Sequence, residues 1–185
     1  MKKQSSALFV TRLALTLLAI TALVGLALAG VNAITKGIIA DAQAEKVQQA
    51  IEQVLPGGGT KINARRYTDM TGMVKAVYMG KNGYAVEVVP KGFNGEITMM
   101  VGVSFEGKVL GISVVKQAET AGLGALIQAD NAKGEAFRNQ FIGLSGKLDV
   151  QKDGGTVEAI SGATITSRAV TEGVNAALSC VATIG

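Results

Sequence analysis

Residues 13–35 contain no charged side chain. As a helix they would extend roughly 34 Å, enough to cross the hydrocarbon core of a bilayer. Asn32, near the far end, is the one strongly polar member. Residues 38–55 then mix Ala, Gln, Glu and Lys with apolar Val47, Ile51 and Val54 on one helical stripe. This pattern predicts an amphipathic helix that stops at Pro56 and the glycines after it.

The pattern next turns β-rich. Strands are expected over 74–79, 84–89, 97–105 and 109–115, separated by the turn Gly80-Lys81-Asn82-Gly83 and by Glu106-Gly107. Successive short turns imply an antiparallel meander. A helix is expected over 134–141, then strands over 148–151 and 156–160 joined by Asp153-Gly154-Gly155. A last helix is predicted over 167–181, where Val170, Val174, Leu178 and Val181 make one apolar, core-facing stripe. The fold class expected is α+β, an antiparallel sheet packed with helices behind one N-terminal membrane helix. The breaks divide the chain into segments 1–12, 13–35, 36–59 and 60–185.

Charge gives the membrane segment a direction. Four of the 18 basic residues, Lys2, Lys3, Arg12 and Lys36, precede the first acid, Asp41, and the rest balance the 14 acidic residues. Basic residues flanking the start of an apolar span keep that end in the cytoplasm, so the domain that follows is expected outside. A cleaved signal peptide ending near Ala27-Leu28-Ala29 is the rival, but the apolar run exceeds the usual signal core and favours a retained anchor. A nucleic-acid binder would carry its positive charge on the folded domain, and here that domain is neutral. The chain has no His, no Trp and one Cys, Cys180. Ser-His and Cys-His pairs, His/Cys zinc sites and four-Cys clusters are thereby excluded, so any redox chemistry needs an organic cofactor. Cys180, among small apolar residues near a helix end, reads as a buried structural thiol.

The candidate chemistry lies between the last strand and the last helix, in Ser161-Gly162-Ala163-Thr164-Ile165-Thr166-Ser167. Four hydroxyl residues around a Gly and an Ala at a helix entrance suit an anion, because a helix N-terminus offers free N–H groups and partial positive charge. Thr166 or Ser167 can serve as the N-cap, and plain capping alone would account for the hydroxyls. Two further segments are Lys116-Gln117-Ala118-Glu119-Thr120-Ala121-Gly122-Leu123-Gly124 and Lys91-Gly92-Phe93-Asn94-Gly95-Glu96-Ile97, which runs on to Val101-Gly102-Val103.

In this order the three segments resemble the FMN-binding domains shared by the G subunit of Rnf complexes and the C subunit of Na⁺-pumping NADH:quinone reductase. The resemblance extends from about Asn32 to the C-terminus. It implies that Thr164 is the attachment point of FMN through a phosphoester, within a motif of Ser161, Gly162, Ala163, Thr166 and Ser167. It also implies that Lys116, Glu119, Thr120, Gly122, Leu123 and Gly124 belong to a loop against the flavin, with Lys116 and Glu119 the nearest charges and Arg168 beside the phosphate. The implied partners are a flavin transferase that splits FAD, the other membrane and redox subunits of the complex, and membrane lipid. Electrons would pass between ferredoxin and NAD⁺, coupled to Na⁺ or H⁺ translocation, and nucleic acid is no partner. Two positions depart from the family: Glu158 stands where Asp is usual, and Ala121 where Pro is usual. The compact chain favours the Rnf protein over its quinone reductase counterpart or a free-standing exported flavoprotein. An exported binding module, in which the turn only caps a helix, is the reading from another class. A hydrolase using Ser161 or Thr164 lacks a base and ranks last.

Overall fold

In the computed structural model, which describes residues 3–63 and 67–184, one helix, α1, runs Lys3–Val54. The expected membrane helix and the amphipathic helix after it are thus one continuous element. Lys2, one of the basic residues at the N-terminus, lies outside the described residues. The chain divides into two compact units, Met1–Glu45 and Lys46–Gly185.

The first unit is helical, with Leu15, Leu18, Leu23, Leu26, Leu28 and Ile34 all exposed, and it is long and apolar enough to cross a membrane. Its threonine hydroxyls are matched internally. Thr16 donates to the Leu13 carbonyl at 2.8 Å and Thr35 to that of Val31 at 2.8 Å, while Thr21 donates to that of Leu17. Such back-bonding lets a threonine enter hydrocarbon without an unsatisfied donor.

The second unit is built on a five-stranded antiparallel sheet, β1 Thr60–Lys61, β2 Val74–Met79, β3 Gly83–Val88, β4 Thr98–Ser104 and β5 Val109–Lys116, in sequence order. This is the meander that the turns predict. Both faces are covered. Val86, Val88, Met99, Val101 and Val103 pack with Val170, Val174, Phe137 and Phe141 from the helical side. On the other face Ala85, Met100 and Val115 pack with Ala50, Ile51, Val54 and Leu55 at and just beyond the end of α1. A strand buried on both faces needs an apolar run rather than alternation, which is what β4 has in Met99, Met100, Val101 and Val103. At the edge, Gln128 Nε2 donates to the carbonyl of Val114 at 3.0 Å, occupying part of the unpaired side of β5.

Two helices complete the unit, α2 Ala132–Asn139 and α3 Thr164–Val181. The Asn131 side chain caps α2, accepting from Gly134 N at 2.9 Å. Val170, Val174, Leu178 and Val181 are buried, as their spacing predicts, and so is Cys180. The strands expected over 148–151 and 156–160 do not form: a single parallel bridge, Val150 to Val157, and a short 3-10 turn, Gln151–Asp153, stand in their place. Side-chain amides account for the difference. Asn175 of α3 bonds both the N–H and the carbonyl of Leu148, at 2.8 and 2.7 Å. Gln140 does the same for Glu158, at 2.8 and 3.2 Å. Backbone groups taken by side chains are no longer available to a hairpin ladder.

Candidate functional site

The predicted N-cap is where sequence and structure part. The helix α3 begins at Thr164, and its N-cap is Ala163, which has no side chain to accept from the first turn. Thr166 and Ser167 are buried and engaged elsewhere. The Ser167 hydroxyl donates to the Ala163 carbonyl at 3.0 Å and accepts from Ile160 N at 3.0 Å. The Thr166 hydroxyl donates to the Glu119 carboxylate. The first turn of α3 is therefore left without a side-chain acceptor, the state in which a helix end best receives an anion.

Glu119 is 7% exposed, and its carboxylate draws three segments together. Besides the Thr166 hydroxyl it accepts from Phe93 N at 3.2 Å and Asn94 N at 3.0 Å, and its own N–H donates to Gln117 Oε1 at 2.6 Å. A buried carboxylate is tolerable only when its oxygens are hydrogen-bonded, and here the bonds come from the 91–97 turn and from α3. Asn94 Nδ2 adds a bond to Thr120 Oγ1 at 3.3 Å. The three segments that carry the candidate chemistry thus converge on one carboxylate.

The convergence leaves a groove of about 470 Å³, lined by the apolar Phe93, Leu123 and Ile165, by Gly124, Gly162, Ala163 and Thr164, and by Thr120, Lys152 and Thr166. Phe93, Leu123 and Ile165 are large apolar side chains that remain exposed. At Gly124 a methyl would stand 2.7 Å from Thr166 Oγ1 and 2.9 Å from Glu119 Cβ, so only glycine fits at this point of the lining. Gly162 has φ +76°, a left-handed turn that aims the chain into α3 and is unstrained only for glycine. A second groove of about 430 Å³, lined by Leu126, Phe137, Glu158, Ile160 and Ser161 among others, shares Leu123 with the first.

Of the motif hydroxyls, Ser161 is exposed and Thr164 is half-buried. Lys152 Nζ donates to Thr164 Oγ1 at 3.1 Å. Its neighbour Asp153 forms a two-point ion pair with Arg168, Nε to Oδ2 and Nη2 to Oδ1 both at 2.6 Å. The Arg168 hydrogen bonds hold the Asp153 carboxyl below its ordinary range, and Asp153 in turn pushes the guanidinium up. Lys116 is exposed at the end of β5 and does not line the groove. Lys152 is not among the residues that the sequence singles out. It lies in a turn that reads as a hairpin tip, and nothing in its spacing from Thr164 announces the contact. Among the described residues no group of acids, His or Cys could hold a metal.

Comparison with known proteins adds two kinds of finding. Residues 92–179 match the model of a family described as FMN-binding domain. The chain is also 34% identical to the G subunit of the Na⁺-translocating ferredoxin:NAD⁺ oxidoreductase complex of Acetobacterium woodii, over 90% of this chain and 88% of that protein. It is 31% identical to the G subunit of the ion-translocating oxidoreductase complex of Methanosarcina acetivorans, over 93% and 94% respectively. With the G subunit of the proton-translocating ferredoxin:NAD⁺ oxidoreductase complex of Clostridium ljungdahlii it shares 36% identity, over 86% and 84%.

Proposed function

We propose, since this chain belongs to the G-subunit family of ion-translocating, Rnf-type oxidoreductase complexes, that it relays electrons through an FMN esterified to Thr164. FMN, when bound, supplies the reversible electron transfer that this set of side chains lacks. The partners in this reading are the other membrane and redox subunits of the complex, and the overall reaction joins ferredoxin oxidation to NAD⁺ reduction and ion movement.

The observation that carries the attachment is the state of the hydroxyls. Thr166 and Ser167 are spent on Glu119 and on backbone groups and the exposed Ser161 is outside this groove, whereas Thr164 is half-buried and lines it. The residues present fit the cofactor. Phe93, Leu123 and Ile165 offer apolar contact to a flat ring system and exclude water from it. Gly124 lets its loop pack down on Thr166 and Glu119, Gly162 makes the left-handed turn into α3, and the first turn of α3 with Lys152 offers donors to a phosphate. Glu119 holds the loop through Gly124 in place rather than facing the ring.

A flavin transferase is the maturation partner. Thr164 Oγ1 bonds to the flavin-side phosphorus of FAD, the pyrophosphate P–O bond breaks, AMP departs with the bonding pair, and the hydroxyl proton is released. Thr164 is then an ester and takes no part in electron transfer. Attachment suits a carrier outside the membrane, since a tether keeps the local cofactor concentration high where a lost flavin would not be replaced. In this reading residues 1–12 are cytoplasmic, 13–35 lie in lipid, 36–59 lead out of it, and 60–185 are extracytoplasmic.

One experiment tests attachment and sidedness together. The full-length chain is co-expressed with a flavin transferase, and its band is examined for flavin fluorescence after denaturing electrophoresis, with and without protease added to intact spheroplasts. The expected result is a fluorescent band, absent in Thr164→Val and shortened by external protease. A dark wild-type band, with the transferase active on a control protein, overturns the carrier and favours a plain exported binding module; a fluorescent band that external protease leaves intact overturns the sidedness.

A further inference from the structure

We infer that Lys152 is the counter-ion of the flavin phosphodiester and the residue that aims the Thr164 hydroxyl for transfer, an inference that rests on the reading of Thr164 as the acceptor. Its ammonium donates to Thr164 Oγ1 at 3.1 Å, so it touches the atom that would react. The contact is built from a loop held to the same helix. Asp153 is joined at two points to Arg168, which follows Thr164 by one helical turn on α3. Inside the loop, Asp153 N bonds the Val150 carbonyl at 2.8 Å and Gly155 N bonds it at 3.0 Å, fixing the backbone on either side of Lys152.

The two cations near the acceptor are therefore not equivalent. The charge of Arg168 is already matched by Asp153 at 2.6 Å. Lys152 has no ion-pair partner within 4.0 Å among the described residues, and its side chain bonds the Thr164 hydroxyl instead. Arg168 and Asp153 hold the loop, and Lys152, which acts on the Asp153 carboxylate only through space, adds the second positive charge beside Thr164.

The chemistry of transfer explains why that charge is useful. Before transfer Lys152 faces a neutral hydroxyl, taking up one lone pair of Oγ1 and leaving the other to form the bond to phosphorus. After transfer Oγ1 is a bridging ester oxygen, and the one negative charge of the phosphodiester rests on the two non-bridging oxygens beside it, while AMP has left and the hydroxyl proton has been released. A hydrogen bond to a charged acceptor is roughly twice as strong as one to a neutral acceptor, so Lys152, passing from Oγ1 to an adjacent non-bridging oxygen, binds the esterified state more tightly than the free one. The difference favours transfer and then holds the phosphate end of the tether against α3.

The test uses the full-length chain in detergent with purified flavin transferase and FAD, followed by in-gel fluorescence over time. Lys152→Gln is expected to slow labelling by about tenfold or more, the loss of one charge-assisted contact in the transfer step. Lys152→Arg restores most of the rate, and added salt slows the wild type more than the Gln variant. In the fully labelled proteins the phosphorus-31 resonance of the diester differs between wild type and Lys152→Gln when native and coincides after urea denaturation, a readout that a merely structural role would not move. Labelling of Thr164→Val would overturn the acceptor reading itself. If Thr164→Val stays dark while Lys152→Gln labels at the wild-type rate, or if Lys152→Arg is as slow as Lys152→Gln, the role of Lys152 is overturned and the acceptor reading stands.

Discussion

Glu119 joins the 91–97 turn, its own loop and α3 through bonds from Phe93 N, Asn94 N and the Thr166 hydroxyl. Glutamine keeps the shape, but its amide nitrogen must face donors that need an acceptor. Glu119→Gln is therefore expected to destabilise the domain by about 1–3 kcal/mol, the cost of leaving a buried polar group unmatched. Urea unfolding followed by circular dichroism measures it, and an unmoved midpoint would count against the carboxylate as the fastener of the groove. Single contacts of this kind are also the hardest to read from sequence. Thr164, Gly162 and Gly124 are legible because motif and glycine chemistry are local. The inward turn of Glu119 and the reach of Lys152 to Thr164 are contacts between distant segments, and no periodicity encodes a hydrogen bond across 47 or 12 positions.

Among the elements, the four longer strands and α2 lie within a few residues of where alternation and turns put them, because each signal is a local pattern of burial. The missing hairpin is not legible, since Asn175 and Gln140, whose amides replace its ladder, look in sequence like ordinary polar residues on helices. The stripe on the last turns of α1 is legible, and its purpose follows from structure: Ile51 is 1% exposed against the sheet, whereas Ile34 is 74% exposed. Ile51→Ala should cost the domain about 2–5 kcal/mol, as large-to-small changes in packed cores do. Ile34→Ala should leave the unfolding midpoint of the domain unmoved. Comparing the two variants by chemical denaturation in detergent checks this, and equal midpoints would mean that the end of α1 contributes no core.

For the folded protein taken together, the buried thiol sets an alkaline limit. Burial, with the nearby Asp69 charge adding to it, raises Cys180 from an ordinary 9.0 to about 11. A group whose native pKa lies above its unfolded one contributes stability that is complete below the unfolded value and lost as pH rises through the native value. Stability should therefore fall between about pH 9 and 11, and Tyr67, raised chiefly by burial and also by Cys180 and Asp69, acts in the same direction at higher pH. Replacing the thiol, as in Cys180→Ala, should flatten the decline across that alkaline window in urea unfolding series, even if the variant starts from a lower value. A decline of unchanged slope would show that the thiol is not its source.

To a transferring enzyme the unfolded motif presents four chemically similar hydroxyls, whereas the folded one withholds those of Thr166 and Ser167 as a protecting group would. Folding thus makes part of the selection, and the choice of Thr164 over the exposed Ser161 is left to the enzyme. On the proposed reading, colour doubles as a sign of maturation: flavin that spares Thr166 and Ser167 is what a chain folded before labelling is expected to carry.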